Sequence, residues 1–327
     1  MSRISHGPVV ETGAWWRRAC VVVAIVLSAF AFNTAENLPI GLLDMIATDL
    51  DASLPRTGLL VSGYGLVVAV VSLPLARIKR RLPRRPLVTV VLAVLAICSI
   101  MPTYLDSFGS VLATRLATAC AQALFWAVMG LVAVGMFDTR YRGRIIGLLS
   151  VGGALATIAG VPAGNWIAHR NEWQTPFIVV SVLAVLASVT IGALLPTMPA
   201  ESTHAAYGAR PDRRRFAAVL AVTGLSVSGT FCTFTYIVDF LLAVSGISGA
   251  SVSGMLGLFG IGGFAGVMLV GPLLDRYPAS TLLLPVLLQA AIMLLLYIAG
   301  HHRPVTLSGV PVFGAAAAPA FMVTRAG

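Results

Sequence analysis

The chain has 327 residues, of which 58% are hydrophobic and only 10% charged, with 32 glycines besides. Soluble domains carry about 25% charged residues, so this chain lacks the polar side chains to cover a water-facing surface of its own size. A net charge of +10 suits a nucleic-acid partner only when the basic residues share one continuous surface; here they occupy short breaks between apolar runs, and the expected partner is a lipid bilayer.

In helical form a bilayer core about 30 Å thick takes about 20 apolar residues. Ten stretches qualify: 19–43, 57–76, 86–103, 107–136, 145–168, 175–195, 216–243, 249–272, 280–299 and 305–323. Arg17 and Arg18 ahead of the first stretch, with Ala29-Phe30-Ala31 inside it, imitate a secretory signal. The apolar pattern continues past Ala31, so the segment reads as an uncleaved first helix. Alternating the breaks between two sides leaves Arg56, Arg170 and Arg303 on one side and Arg115 within a span. Every other lysine and arginine falls on the opposite side, which the positive-inside bias makes cytoplasmic, together with the N-terminus.

The fold class is therefore an all-α polytopic membrane protein. Its longest hydrophilic stretch, 196–215, separates a six-helix bundle in 1–195 from a four-helix part in 216–327. The two parts echo each other, each opening with an apolar helix that bears a polar residue near its outer end. Internal repeats of this kind are common in secondary transporters.

Three ionisable residues lie well inside spans: Glu36, Arg115 and Asp239. Such residues are expensive in lipid and face a cavity or one another. By helical rise all three lie about 6–12 Å from the outer ends of their spans. Asn33, Glu36 and Asn37 follow i, i+3, i+4, and Arg115, Gln122 and Trp126 follow i, i+7, i+11, so each set marks one helix face. With Tyr236 in the seventh span, these are the candidate lining of a central substrate cavity. A carboxyl beside an arginine in a partly dry cavity can load and release a proton. The residues also admit a structural reading, in which Glu36 and Arg115 form an ion pair that only joins helices and Asp239 reaches the headgroups.

The fifth span carries Gly160, Val161, Pro162, Ala163 and Gly164, and the eighth carries Gly254, Gly257, Gly260, Gly262, Gly263 and Gly266, small residues that permit close helix packing. Cys20, Cys98, Cys120 and Cys232 fall inside apolar runs without metal-ligand spacing and read as small buried hydrophobes. His301 and His302 are adjacent in a break and read as solvated. No nucleophile, phosphate loop or paired-carboxylate motif is present, so neither an enzyme nor a bound cofactor or metal is expected.

The segments Thr34-Ala35-Glu36, Gly41-Leu42-Leu43, Leu112-Ala113-Thr114-Arg115, Gly160-Val161-Pro162-Ala163-Gly164 and Gly271-Pro272-Leu273-Leu274-Asp275-Arg276, in this order, resemble the major facilitator superfamily. The resemblance is to its twelve-helix drug:proton antiporter branch, with sugar-efflux and chloramphenicol-exporter-like permeases. It implies a monomeric, proton-coupled exporter of a small organic compound in the cytoplasmic membrane, working by alternating access. It assigns Arg115 to proton coupling, for which Glu36 and Asp239 are the candidates read from the spans themselves, and Gly160, Pro162 and Gly164 to the antiporter motif. Arg84, Arg85, Gly271, Asp275 and Arg276 would form cytoplasmic gate motifs, although Ala76 stands where the first copy has an aspartate. The family fold has six helices per half, so the resemblance also implies a truncated or frameshifted chain, with a non-transporting remnant as the alternative reading.

Overall fold

A computed structural model describes residues 15–78, 83–136, 142–196, 213–270 and 278–326. Among these residues all regular structure is helical. Helix α1 spans Trp15–Asn37 and passes into a 3-10 turn over Leu38–Gly41, because Pro39 lacks the N–H that would continue the α ladder. The first expected span thus ends as a helix earlier than its apolar run does. Short helices α2 (Leu43–Asp49) and α3 (Leu54–Thr57) lead into α4 (Leu59–Ile78), α5 (Arg84–Ile100) and α6 (Phe108–Met136).

The fifth traverse is built from α7 (Arg142–Leu155), a π-helical turn over Ala156–Gly160, and α8 (Val161–Ala168), followed by α9 (Thr175–Leu194). Helix α10 (Arg213–Thr235) begins inside the expected linker; residues 197–212 of that linker lie outside the described residues. The seventh traverse, expected as one continuous helix, bends by 52° between α10 and α11 (Ile237–Asp239), with a π-helical turn over Phe240–Val244 after it. Helices α12 (Gly249–Val270), α13 (Pro278–Ala299) and α14 (Arg303–Ala326) complete the order. Among the described residues seven helices are individually long and apolar enough to cross a bilayer, and eight spans result when the bent pair counts as one.

In the first half, α1 packs on α7 and α9, and α5 lies between α6 and α9. Phe32, Ile25, Leu92, Leu95, Phe125 and Met129 share its continuous buried core. In the second half α14 packs against α10, α12 and α13. The contact of α12 with α14 is made backbone to backbone: a Cβ at Gly262 would strike the main chain of Pro311, and one at Gly266 that of Ala315. In a bilayer, where lipid tails offer helices no hydrophobic drive to associate, close backbone approach of this kind supplies the packing that holds them together.

The halves meet along two zones. At the end expected outside, Ile40, Leu43 and Val61 of the first half enter one apolar cluster with Phe234, Ile237, Val238 and Leu241 of the second. Deeper in, Gly260 of α12 lies on the main chain of Thr157 and Ile158 in the π-helical turn. Pro162 explains why the turn forms there. It cannot donate to the Ile158 carbonyl four residues back, so the ladder is interrupted at the point where α12 crosses.

The cysteines correct one expectation. Cys20, Cys120 and Cys232 are exposed and Cys98 is half-buried, all as free thiols. In a bilayer the outer face of a helix is as apolar as its packed face, so an apolar run does not tell which face a residue occupies.

Candidate functional site

The site is built around the C-terminal end of α1. The last carbonyls of a helix lack intrahelical donors, and Pro39 removes the one that the Ala35 carbonyl would ordinarily receive. Arg115, 4% exposed on α6, fills that vacancy. Its guanidinium donates to the Ala35 carbonyl at 2.6 Å and to the Glu36 carbonyl at 3.0 Å. A cation there also complements the negative end of the helix dipole. The guanidinium carbon lies 4.5 Å from the centroid of the Tyr64 ring, a cation–π arrangement that replaces hydration on one face. Its Nε atom is buried with no hydrogen-bond partner among the described residues.

The Glu36 side chain is half-buried and accepts a hydrogen bond from Gln122 Nε2 at 2.6 Å. The Gln122 amide oxygen accepts from the Tyr64 hydroxyl at 2.6 Å. Gln122 is 3% exposed, so both ends of its amide are engaged inside the protein. Glu36, Arg115 and Gln122, predicted from two separate helix faces, therefore come together, and Tyr64 of α4 joins them. Tyr64 was not among the predicted residues. The pattern Gly63-Tyr64-Gly65 in an aliphatic run was the one available signal, a large polar-tipped ring between two residues without side chains.

The other predicted residues are distributed around this cluster. Asn33 and Asn37 are half-buried on α1, and each donates to a carbonyl of its own helix, at Ala29 and Asn33, both at 2.8 Å. Trp126 is half-buried one turn beyond Gln122, with its ring edge-on to Phe125 at 5.3 Å. Tyr236, 39% exposed, stands at the break between α10 and α11, where a Cβ on Gly58 would collide with its hydroxyl, so it belongs to the outer seam. Asp239 lines an outer crevice between the halves together with Asp44 and His169, separate from the Glu36 cluster.

Gly160 brings the π-helical turn against α1, and Gly164 brings α8 against the 3-10 turn that follows α1. A Cβ at Gly160 would meet Thr34 and Phe30, and one at Gly164 would meet Leu38. Beside this contact Asn165 is fully buried with both amide atoms unpartnered among the described residues. At the other end Arg84 is buried, and the Arg85 guanidinium donates to the Gly192 carbonyl, joining α5 to α9 within the first half. Gly271, Asp275 and Arg276, expected from the resemblance as second-half gate residues, lie outside the described residues. Among the described residues no group of three or more His, Cys, Asp or Glu side chains is placed to hold a metal ion.

Residues 23–326, all but the two ends of the chain, match the Major Facilitator Superfamily. The chain belongs to that superfamily. Solved structures repeat its fold: a bacterial homolog of the human lysosomal transporter Spinster, inward-facing and unoccupied, aligns with a TM-score of 0.69 at 17% identity. That alignment covers 96% of this chain and 76% of the other. A D-xylose-proton symporter aligns with a TM-score of 0.67 at 12% identity, over 92% of this chain and 80% of the other. This major facilitator protein is thus a multi-pass membrane transporter by fold, with its charged cluster buried in the first half between α1, α4 and α6.

Proposed function

We propose that the chain is a proton-coupled exporter of a small organic compound, such as a drug or a sugar, across the cytoplasmic membrane. The single observation that carries this reading is the Glu36–Gln122–Tyr64 chain of hydrogen bonds set beside Arg115. Arg115 and an ionised Glu36 together are close to neutral, a tolerable state in a region of low dielectric. Protonating Glu36 leaves the arginine charge uncompensated, which is costly unless the surroundings rearrange. Loading and unloading one proton therefore changes which arrangement of the halves is favoured, and that is the coupling an alternating-access carrier needs.

The apolar seal at the outer end supports a form closed on that side. The crossing of α12 over the π-helical turn supplies a tight, small-residue contact about which two bodies can rock. Asn33, Asn37, Trp126 and Tyr236 are the residues proposed to line the substrate path, and Asp239 a second proton-responsive group near its mouth.

The test is transport by the full chain reconstituted in sealed vesicles, with a pH gradient of either sign and with ethidium, chloramphenicol or a radiolabelled monosaccharide as probe. Uphill movement of one of these, driven by the gradient and lost in Glu36→Gln, is expected. Gradient-driven transport that Glu36→Gln leaves intact would remove Glu36 as the proton site.

A further inference from the structure

We infer that Tyr64 is a positioning residue for the Glu36 carboxylate, acting through Gln122. The inference rests on the reading of Glu36 as the proton site. A glutamine amide has two ends of opposite character, and rotating it by half a turn exchanges donor for acceptor. In the observed orientation the amide nitrogen faces the Glu36 oxygen at 2.6 Å and the amide oxygen faces the Tyr64 hydroxyl at 2.6 Å. An ionised carboxylate accepts hydrogen bonds only, so it selects this orientation from one side. A phenol that donates selects it from the other.

When Glu36 carries a proton, the reversed amide becomes acceptable to it, because its oxygen can take the new O–H. Tyr64 must then turn its hydroxyl to accept from the amide nitrogen. Turned that way, the O–H gives up the acceptor it has in Gln122, and a phenol donates better than it accepts, so the phenol biases the amide toward the orientation that suits the ionised carboxylate. Tyr64 itself is held in place: it is buried to 1% exposure, on a helix that packs against α6, with the Arg115 guanidinium across its ring.

Few other ionisable groups face Glu36 from the elements around it. Helix α6 brings Arg115 and, two residues before Gln122, Cys120; α4 brings Tyr64 and has Arg77 near its far end. Helix α5 has Arg84 and Arg85 at its cytoplasmic start and Cys98 near its other end; α7 has Arg142 and Arg144 at its start; α9 has no ionisable residue. Arg115 and the Gln122 amide, whose direction Tyr64 sets, are thus two groups that act on the Glu36 end of α1.

The test uses the full chain in lipid vesicles and needs no transport substrate. Infrared difference spectra are recorded through a pH titration, and the carboxyl band lost in Glu36→Gln assigns the group. Tyr64→Phe, which removes only the hydroxyl, is expected to move the midpoint of that band upward by about half a pH unit, roughly threefold in proton affinity. Gln122→Leu, which removes the donor itself, is expected to move it by about one unit, roughly tenfold. The double variant should match Gln122→Leu alone, since Tyr64 acts through the amide. A midpoint unmoved by Tyr64→Phe, or a Tyr64→Phe shift that adds in full to that of Gln122→Leu, would overturn the inference while leaving Glu36 as the proton site. Absence of any titrating band that Glu36→Gln removes would overturn the proton-site reading itself, and this inference with it.

Discussion

Pro39 and Arg115 are complementary: the proline deletes the N–H that the Ala35 carbonyl would have received, and the arginine, 76 positions later, supplies a donor to that carbonyl at 2.6 Å. A helix break inside a membrane is tolerated only where the freed backbone groups are satisfied again. Here one guanidinium satisfies the carbonyls of both Ala35 and Glu36.

The two residues should therefore be coupled in stability. Arg115→Ala leaves a buried carbonyl without a donor and should cost about 1–3 kcal/mol in thermal unfolding of the purified protein. In that background Pro39→Ala restores an N–H within reach of Ala35 and should return about 1 kcal/mol. In the unaltered chain the same change has nothing to repair. Equal effects of Pro39→Ala in both backgrounds would show that the proline and the arginine do not share the carbonyl.

Glycines in the second half should divide by what faces them. Gly262→Ala and Gly266→Ala push a methyl group into the main chain of α14, which cannot step aside as a side chain can, and each should cost about 1–3 kcal/mol. Gly254→Ala meets open space and should be neutral or stabilising by about 0.5–1 kcal/mol. Thermal melting of the three variants in one detergent decides the matter, and a Gly254 variant as damaged as the others would contradict the packing described.

The same contrast shows which features were legible in the sequence. Burying a charge in lipid is so expensive that Glu36 and Arg115 stand out in any apolar run, and helical spacing carried Gln122 with them. Tyr64 was hidden because a phenol within an apolar stretch satisfies packing and hydrogen bonding equally well. The spans themselves followed from hydropathy. Their internal breaks were legible only where a proline marks them, as at Pro39 and beside Pro162. The bend at Tyr236 has no proline or glycine at it, in the run Phe234-Thr235-Tyr236-Ile237, so nothing local announced it. Tertiary contact at the outer seam holds it: Ile237 and Leu241 are buried there against Ile40 and Leu43.

Orientation in the membrane can be read with a thiol reagent that does not cross it. The basic residues place Ser53 outside and Ser202, in the hydrophilic linker, inside. After replacement of the four native cysteines by serine or alanine, Ser53→Cys should label in intact cells and Ser202→Cys only after lysis. Labelling of Ser202→Cys in intact cells would invert the topology and with it the assignment of the sealed end as the outer one.

The outer seam itself should be adjustable from Gly58. This residue precedes α4, and the Tyr236 hydroxyl occupies the space where its side chain would be. A bulky residue there has no room unless Tyr236, and the bent end of the seventh traverse with it, moves away. Val61, one turn further along α4 and 4% exposed, is buried in the same seam and should be shielded while the seam is closed. In a chain without native cysteines, Val61→Cys should therefore react slowly with an impermeant thiol reagent added outside. Adding Gly58→Leu should speed that reaction at least several-fold, because the displaced tyrosine opens the path to Val61. Gly58→Ala, smaller but still in collision with the hydroxyl, should fall between. Tyr236→Ala removes the obstacle, so the pair Gly58→Leu with Tyr236→Ala should react little faster than Tyr236→Ala alone. Additive acceleration by the two changes would mean that they loosen the seam at separate points, and that the contact between Gly58 and Tyr236 is not what keeps the outer end shut.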